Sequence, residues 1–189
     1  MEPISILIVG VGGQGTLLSS RVLGQYASHM GYDVKVSEVH GMAQRGGSVV
    51  TYVRMGEEVA SPIIEEGGAD YMIAFEKLEA LRYVQLMKKD GSMIVNAQRI
   101  DPMPVISGTA EYPEGIFEKL KKNVSTIEVD AAALAEEVGT IKVVNTIMIG
   151  KLAHIMGGDK KIWMEAVKAC VPAKTVDINE QAFNRGYEV

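Results

Sequence analysis

The chain contains one cysteine, Cys170, in 189 residues. A single thiol excludes a disulfide framework and any cysteine-ligated metal or iron–sulfur cluster built from this chain alone. Cys170 stands in the apolar stretch Trp163 to Val171 and reads as a small buried hydrophobe. No apolar run reaches the ~18 residues needed to cross a bilayer, so no membrane span is expected. The N-terminus carries no charged leader and runs directly into strand-like sequence, so no secretory signal is expected and the location reads as cytoplasmic. Basic residues number 19 against 24 acidic ones, a net charge of −5, and no Lys/Arg cluster is present. That balance argues against a nucleic-acid or anionic-membrane partner held by bulk electrostatics. Repeats, low-complexity tracts and clear linkers are also lacking. The length suits one ordinary domain over residues 1–189, large enough for a real core.

What is present begins at the N-terminus. The apolar run Ile4-Ser5-Ile6-Leu7-Ile8-Val9 leads into Gly10-Val11-Gly12-Gly13-Gln14-Gly15, and Thr16 to Leu23 follows with helical character. This reads as strand, tight turn and helix. Such a turn leaves backbone N–H groups and the positive end of a helix dipole bare, which suits a phosphate or carboxylate. Gly10, Gly12 and Gly15 match the dinucleotide spacing G-x-G-x-x-G, although a sharp strand-to-helix turn needs glycines with or without a ligand. A phosphate-binding P-loop is disfavoured, because Thr16 stands where that motif requires lysine.

Strand-like and helical patterns alternate after this. Strands are expected at Ile4–Val9, Asp33–Val39, Ser48–Met55, Tyr71–Phe75, Met93–Val95 and Val124–Val129, with Val59-Ala60 as a hairpin partner after the Gly56-Glu57 turn. Helices are expected at Leu17–Met30, Leu78–Met87 with Asp90-Gly91 as its stop, and a short stretch ending near Lys122. The last third, Ala131–Gly139, Thr146–Met156, Lys160–Val171 and Asn179–Tyr187, reads as helices. The fold class is therefore α/β: a Rossmann-like, doubly wound, mostly parallel sheet flanked by helices, with a helical C-terminal third. Thr146–Met156 is apolar on nearly every side, as expected of a helix buried deeply or packed on another chain. His154 within it reads as a core or interface histidine. The eleven methionines suit either an adaptable protein contact or plain core filling.

A second segment, Ser37 to Ser48, gathers His40, Gln44, Arg45 and three glycines, too glycine-rich for a stable helix and too polar for a core. Strand order places it at the carboxyl edge of the sheet beside the glycine turn, where open α/β sheets bind ligands. Arg45 can grip a carboxylate or phosphate bidentately and His40 can donate, accept or titrate; an ordinary surface loop is the plainer reading. Glu38, at the end of the second strand, stands where a dinucleotide fold holds the ribose hydroxyls. Glu76, after the Tyr71–Phe75 strand, is a candidate to cap a helix, to line the same cleft or to form a local salt bridge. The cofactor-binding candidates are Gly10, Gly12, Gly13, Gln14, Gly15, Glu38, His40, Gln44 and Arg45, with no bond-making residue and no metal ligand among them.

The Gly10–Gly15 turn together with Ser37–Val49 resembles the gamma subunit or domain family of 2-oxoacid:ferredoxin oxidoreductases. The likeness runs over most of the chain and includes Val50–Arg54, Ala74-Phe75-Glu76 and Asn145-Thr146. Glu38-Val39-His40-Gly41-Met42-Ala43-Gln44-Arg45-Gly46-Gly47 is nearer the indolepyruvate type than the pyruvate type. The resemblance implies a single gamma-type domain that belongs to a hetero-oligomeric enzyme. That enzyme decarboxylates an aryl pyruvate oxidatively with coenzyme A, giving an aryl-acetyl-CoA, carbon dioxide and reduced ferredoxin. Such chemistry needs thiamine diphosphate with magnesium, and iron–sulfur clusters. No Gly-Asp-Gly followed by a distant Asn is found here, so the resemblance assigns those groups to a large partner subunit. This chain would contribute a wall of the cleft, with coenzyme A a candidate ligand there. The alternative is a free-standing NAD(P)- or flavin-binding oxidoreductase or regulatory module using the same turn with Glu38.

Overall fold

Alternation of apolar side chains along the first strand, β1 (Ile4–Val11), supplies both faces of the core at once. The structure, a computed structural model, describes residues 2–42 and 46–189. Ile6 and Ile8 point into one apolar cluster and Leu7 and Val9 into the other, all fully buried. The chain continues through α1 (Thr16–His29), β2 (Asp33–His40), β3 (Ser48–Gly56), β4 (Ala69–Ala74), α2 (Lys77–Tyr83) and β5 (Met87–Asn96). Two short helices, α3 (Met103–Ile106) and α4 (Ile116–Lys121), lead to β6 (Ser125–Val129). The helices α5 (Ala131–Val138), α6 (Val144–Met156), α7 (Lys160–Cys170) and α8 (Val176–Glu188) complete the chain.

The six strands lie in the order β2-β3-β1-β4-β5-β6. β1, β4, β5 and β6 pair in parallel. β3 runs antiparallel between β1 and β2. The sheet is thus mixed, with β3 the one reversed strand among the described residues. Helices α1 and α5 to α8 cover one face through Val22, Leu23, Ile147, Trp163 and Phe183, while α2 and α4 cover the other through Leu78 and Leu120. α1 and α7 are locked by a stacked Tyr26–Trp163 pair with ring centroids 3.7 Å apart. Burial of the Tyr26 phenol in that stack pushes its pKa up.

Several local expectations give way. Among the described residues no strand lies between Gly56 and Ala69. Val59 is buried and its N–H donates to the Asp33 carboxylate at 3.0 Å instead of pairing with β3, whose two edges are already taken by β1 and β2. The helix expected over Leu78–Met87 ends at Tyr83, and a 3-10 turn, Val84–Leu86, passes into β5. Asp90-Gly91 therefore lies inside the strand. It forms an irregularity where pairing advances from Ala69–Met87 to Tyr71–Ser92. His154 is exposed and meets the Tyr187 ring edge-on with centroids 5.1 Å apart, so of the two expectations, core or interface, the core one gives way.

The nearly all-apolar α6 is buried within its own chain, between the sheet and α8. Two glycines make that possible. A Cβ on Gly150 would strike the Phe183 carbonyl, and one on Gly186 would strike the Ile147 carbonyl, so the two main chains touch directly. Gly186→Ala, and separately Gly150→Ala, should force the helices apart and cost about 3 kcal/mol or more. Urea denaturation monitored by circular dichroism checks this; a midpoint equal to wild type in both variants would mean the crossing has slack.

Candidate functional site

At the carboxyl end of the sheet the connections from β1 and β4 leave toward opposite faces, α1 to one and α2 to the other. Open α/β sheets hold ligands at such a divergence. The glycine turn lies there. Gly13 and Gly15 adopt positive φ, 102° and 89°, which only glycine takes without strain. Gly15 opens α1 with no side-chain cap. The backbone N–H groups of Gly13, Gly15, Thr16 and Leu17 have no acceptor among the described residues. Those donors sit at the positive end of a 14-residue helix, an arrangement that accepts an anion.

The other turn residues hold this geometry rather than offer it. Gly12 N–H donates to the Gly47 carbonyl at 2.9 Å, which seats the end of the β2–β3 connection beside the turn. Gln14 N–H donates to the Val11 carbonyl at 3.2 Å. The Gln14 side-chain oxygen accepts from Val11 N–H at 2.7 Å, and its amide nitrogen donates to the Phe75 carbonyl at 3.1 Å and to Gln98 Oε1 at 3.0 Å. Gly10 packs against Gln14 and Phe75; a Cβ there would stand 2.9 Å from Gln14 Oε1.

Two clefts flank the turn. The first, of about 400 Å³, is lined by Gly12, Gly13, Thr16, Glu38, His40 and Val49. Glu38 accepts from the Thr51 hydroxyl at 3.2 Å, and His40 Nδ1 lies 3.0 Å from the Gly41 carbonyl; both side chains are exposed. The second cleft, of about 280 Å³, is lined by Gly13, Gly15, Gln98, Ile141, Lys142 and Asn145. Its Gln98, Lys142 and Asn145 were not among the candidates read from sequence. Gln98 follows β5, Lys142 lies in the 3-10 turn Ile141–Val143 that precedes α6, and Asn145 is in the first turn of α6; only the Asn145-Thr146 pair carried any signal. Of the sequence candidates, Gly10, Gly12, Gly13, Gln14, Gly15, Glu38 and His40 do converge here, whereas Gln44 and Arg45 lie outside the described residues.

Glu76 is buried at 1% exposure and caps α2. Its carboxylate accepts from the Leu78, Glu79 and Ile100 N–H groups and from the Tyr112 hydroxyl, at 2.6, 3.1, 3.2 and 2.5 Å. All its lone pairs are spent on structure, which settles it as a cap. Burial, and then the hydrogen bond to Glu76, push the Tyr112 phenol well above its ordinary range. Glu79 accepts from the Ser48 hydroxyl and pairs with Arg82 at 3.2 Å. Burial nevertheless raises its carboxyl pKa. Among the described residues no group of three His, Cys, Asp or Glu could hold a metal ion.

A model of the family described as pyruvate ferredoxin/flavodoxin oxidoreductase matches residues 5–189. The indolepyruvate oxidoreductase subunit IorB of Thermococcus kodakarensis is 42% identical, with 98% of this chain and 95% of that protein covered. The protein of the same name from Archaeoglobus fulgidus is 41% identical over 97% of this chain and 94% of its own length. Among solved structures, the gamma subunit of a keto/oxoacid ferredoxin oxidoreductase from Geobacter sulfurreducens superposes with a TM-score of 0.74 at 24% identity, covering 98% of this chain and 96% of that one. That likeness supports the fold.

Gly13 and Gly15 share a backbone conformation but not a neighbourhood. A Cβ on Gly13 meets nothing within 4 Å, whereas one on Gly15 would stand 2.5 Å from Asn145 Nδ2. Gly13→Ala should cost about 1 kcal/mol of folding stability from strain alone. Gly15→Ala should cost about 3 kcal/mol, because strain and overpacking add. Equal denaturation midpoints for the two variants would show that the Asn145 contact yields freely.

Proposed function

We infer the function from one premise: the chain belongs to the pyruvate ferredoxin/flavodoxin oxidoreductase family. It is the small subunit of a 2-oxoacid:ferredoxin oxidoreductase, and the free-standing dinucleotide-binding alternative gives way to that reading. The substrate class we propose is an aryl 2-oxoacid of the indolepyruvate type. The near full-length identity to proteins named indolepyruvate oxidoreductase subunit carries that choice. The reaction is oxidative decarboxylation with coenzyme A, giving an aryl-acetyl-CoA, carbon dioxide and reduced ferredoxin.

The iron–sulfur clusters such chemistry requires do not fit this chain. Cys170, the single cysteine, is half-buried, and burial pushes its thiol pKa up, the opposite of what a metal ligand needs. One thiolate cannot hold an iron–sulfur cluster. We therefore assign the clusters, the thiamine diphosphate and its magnesium to a larger partner subunit, together with the route to ferredoxin. Residues 1–189 form one gamma-type domain in this reading, and the complex is cytoplasmic. Among the described residues no helix is long and apolar enough to cross a membrane.

Within the complex the glycine turn shapes an anion site at the boundary with the partner. Gly13 and Gly15 offer backbone donors, Gly10, Gly12 and Gln14 fix the turn, and Glu38 and His40 stand at its border; Gln44 and Arg45, polar contributors expected from the sequence, lie outside the described residues. A phosphate of coenzyme A or the carboxylate of the 2-oxoacid is the ligand. None of these residues makes or breaks a bond. Indolepyruvate-dependent reduction of a viologen dye tests the assignment, with each subunit assayed alone and then mixed. The small subunit alone should be inactive and the mixture active; full activity from this chain alone overturns the subunit reading. Turnover of pyruvate or 2-oxoglutarate in place of indolepyruvate overturns the substrate class.

A further inference from the structure

We propose that a cleft beside Arg54, at the amino end of the sheet, binds a small oxyanion through the guanidinium edge formed by Nε and Nη2. Arg54 stands in β3 directly opposite Ser5 of β1 on one side and Lys35 of β2 on the other. It shares the face of Val50 and Tyr52, the side of the sheet that α2 and α4 cover. The cleft there, of about 420 Å³, is lined by Ser5, Arg54, Ser61, Ile63, Glu65 and Gly68. The glycine turn follows the other end of β1, about 20 Å away along the strand. The site rests on no part of the subunit assignment, which stands or falls separately.

The guanidinium itself points to a ligand. Nη1 donates to the Ser61 carbonyl at 3.2 Å and to the Ile63 carbonyl at 3.5 Å, and those bonds use one nitrogen of three. Nε is shut off from water without a partner, the one such side-chain atom among the described residues. Among those residues Arg54 also forms no ion pair. A charge withdrawn from water and left without an anion is costly, and an acceptor that pairs with it recovers that cost. Tethering residues 61 and 63 would need only a neutral donor. The free edge is planar and two-pronged, the shape that matches two oxygens of a carboxylate or a phosphate. Ser5 and Ser61 bring hydroxyls to the same wall. Lys35 adds a second cation to this face, its charge answered by Asp33 at 2.6 Å. Glu65, exposed on the cleft wall, favours a singly charged carboxylate over a phosphate dianion. The contact to the Ile63 carbonyl is at the limit of a hydrogen bond, so this segment can yield to admit an acceptor to Nε.

The test is NMR titration of the ¹⁵N-labelled full chain with acetate, and separately with inorganic phosphate, at constant ionic strength with chloride as the balancing anion. The Arg54 Nε–H signal, identified by its loss in Arg54→Lys, should move downfield saturably, and the Ile63 and Ile64 amides should follow. Arg54→Lys keeps the charge but loses the fork, and should weaken binding about tenfold or more, read at those amides. Glu65→Gln leaves both carbonyl bonds of Arg54 in place and removes the repelling charge. It should tighten binding about threefold with an unchanged melting temperature. A saturable response to either probe supports the site, and the tighter of the two names its class, carboxylate or phosphate ester. Absence of a saturable shift with both probes overturns it. So does full-strength binding by Arg54→Lys, or a set of shifts that leaves the Nε–H signal unmoved. Should Arg54→Lys not fold, Glu65→Gln decides, and binding no tighter than wild type overturns the site.

Discussion

One side-chain amide, that of Gln14, holds the functional edge of this protein together. Where β1 leaves the sheet its last N–H would lose its partner, and Gln14 Oε1 replaces that partner at 2.7 Å. The same carboxamide donates to the Phe75 carbonyl beyond β4 and to Gln98 beyond β5. The carboxyl ends of three parallel strands are thereby pinned to the turn that starts α1. Asn96 repeats the device one strand further: its Nδ2 donates to the same Phe75 carbonyl at 3.1 Å and its Oδ1 accepts from Ala131 N–H at 3.2 Å, at the start of α5. Side-chain amides are suited to this work because each offers both a donor and an acceptor without a charge to desolvate.

With the turn pinned, its free donors are few and directed. They belong to Gly13, Gly15 and the first residues of α1, and they face the two clefts that flank the turn. One cysteine cannot supply the thiolates of an iron–sulfur cluster, so no cluster is built from this chain alone. Leu17, in the first cleft, and Ile141, in the second, stay exposed at this edge.

Much of this was legible in order along the chain. The β1–turn–α1 unit, the buried β4 run and the C-terminal helices each carry a local signal: β-branched runs, closely spaced glycines and helical periodicity. The errors came where a partner strand or a packing surface decides. Val59-Ala60 looks like a hairpin partner until β3 is seen to be paired on both sides. Asp90-Gly91 looks like a stop until the register shift against β4 absorbs it. His154 sits in an apolar run but on the outward side of its helix, which removes the core half of the core-or-interface expectation.

The sequence by itself determined the α/β class, the glycine turn at the end of the first strand, the family and the inability of one cysteine to hold a cluster. These depend on local spacing and on composition, which a linear chain displays directly. Only the tertiary structure decided that β3 is inserted antiparallel, that Glu76 is wholly consumed as a cap, and that Gln98, Lys142 and Asn145 meet the turn. Those facts join residues separated by scores of positions, and hydrogen bonds and charges act over a few ångströms of space whatever the distance along the chain.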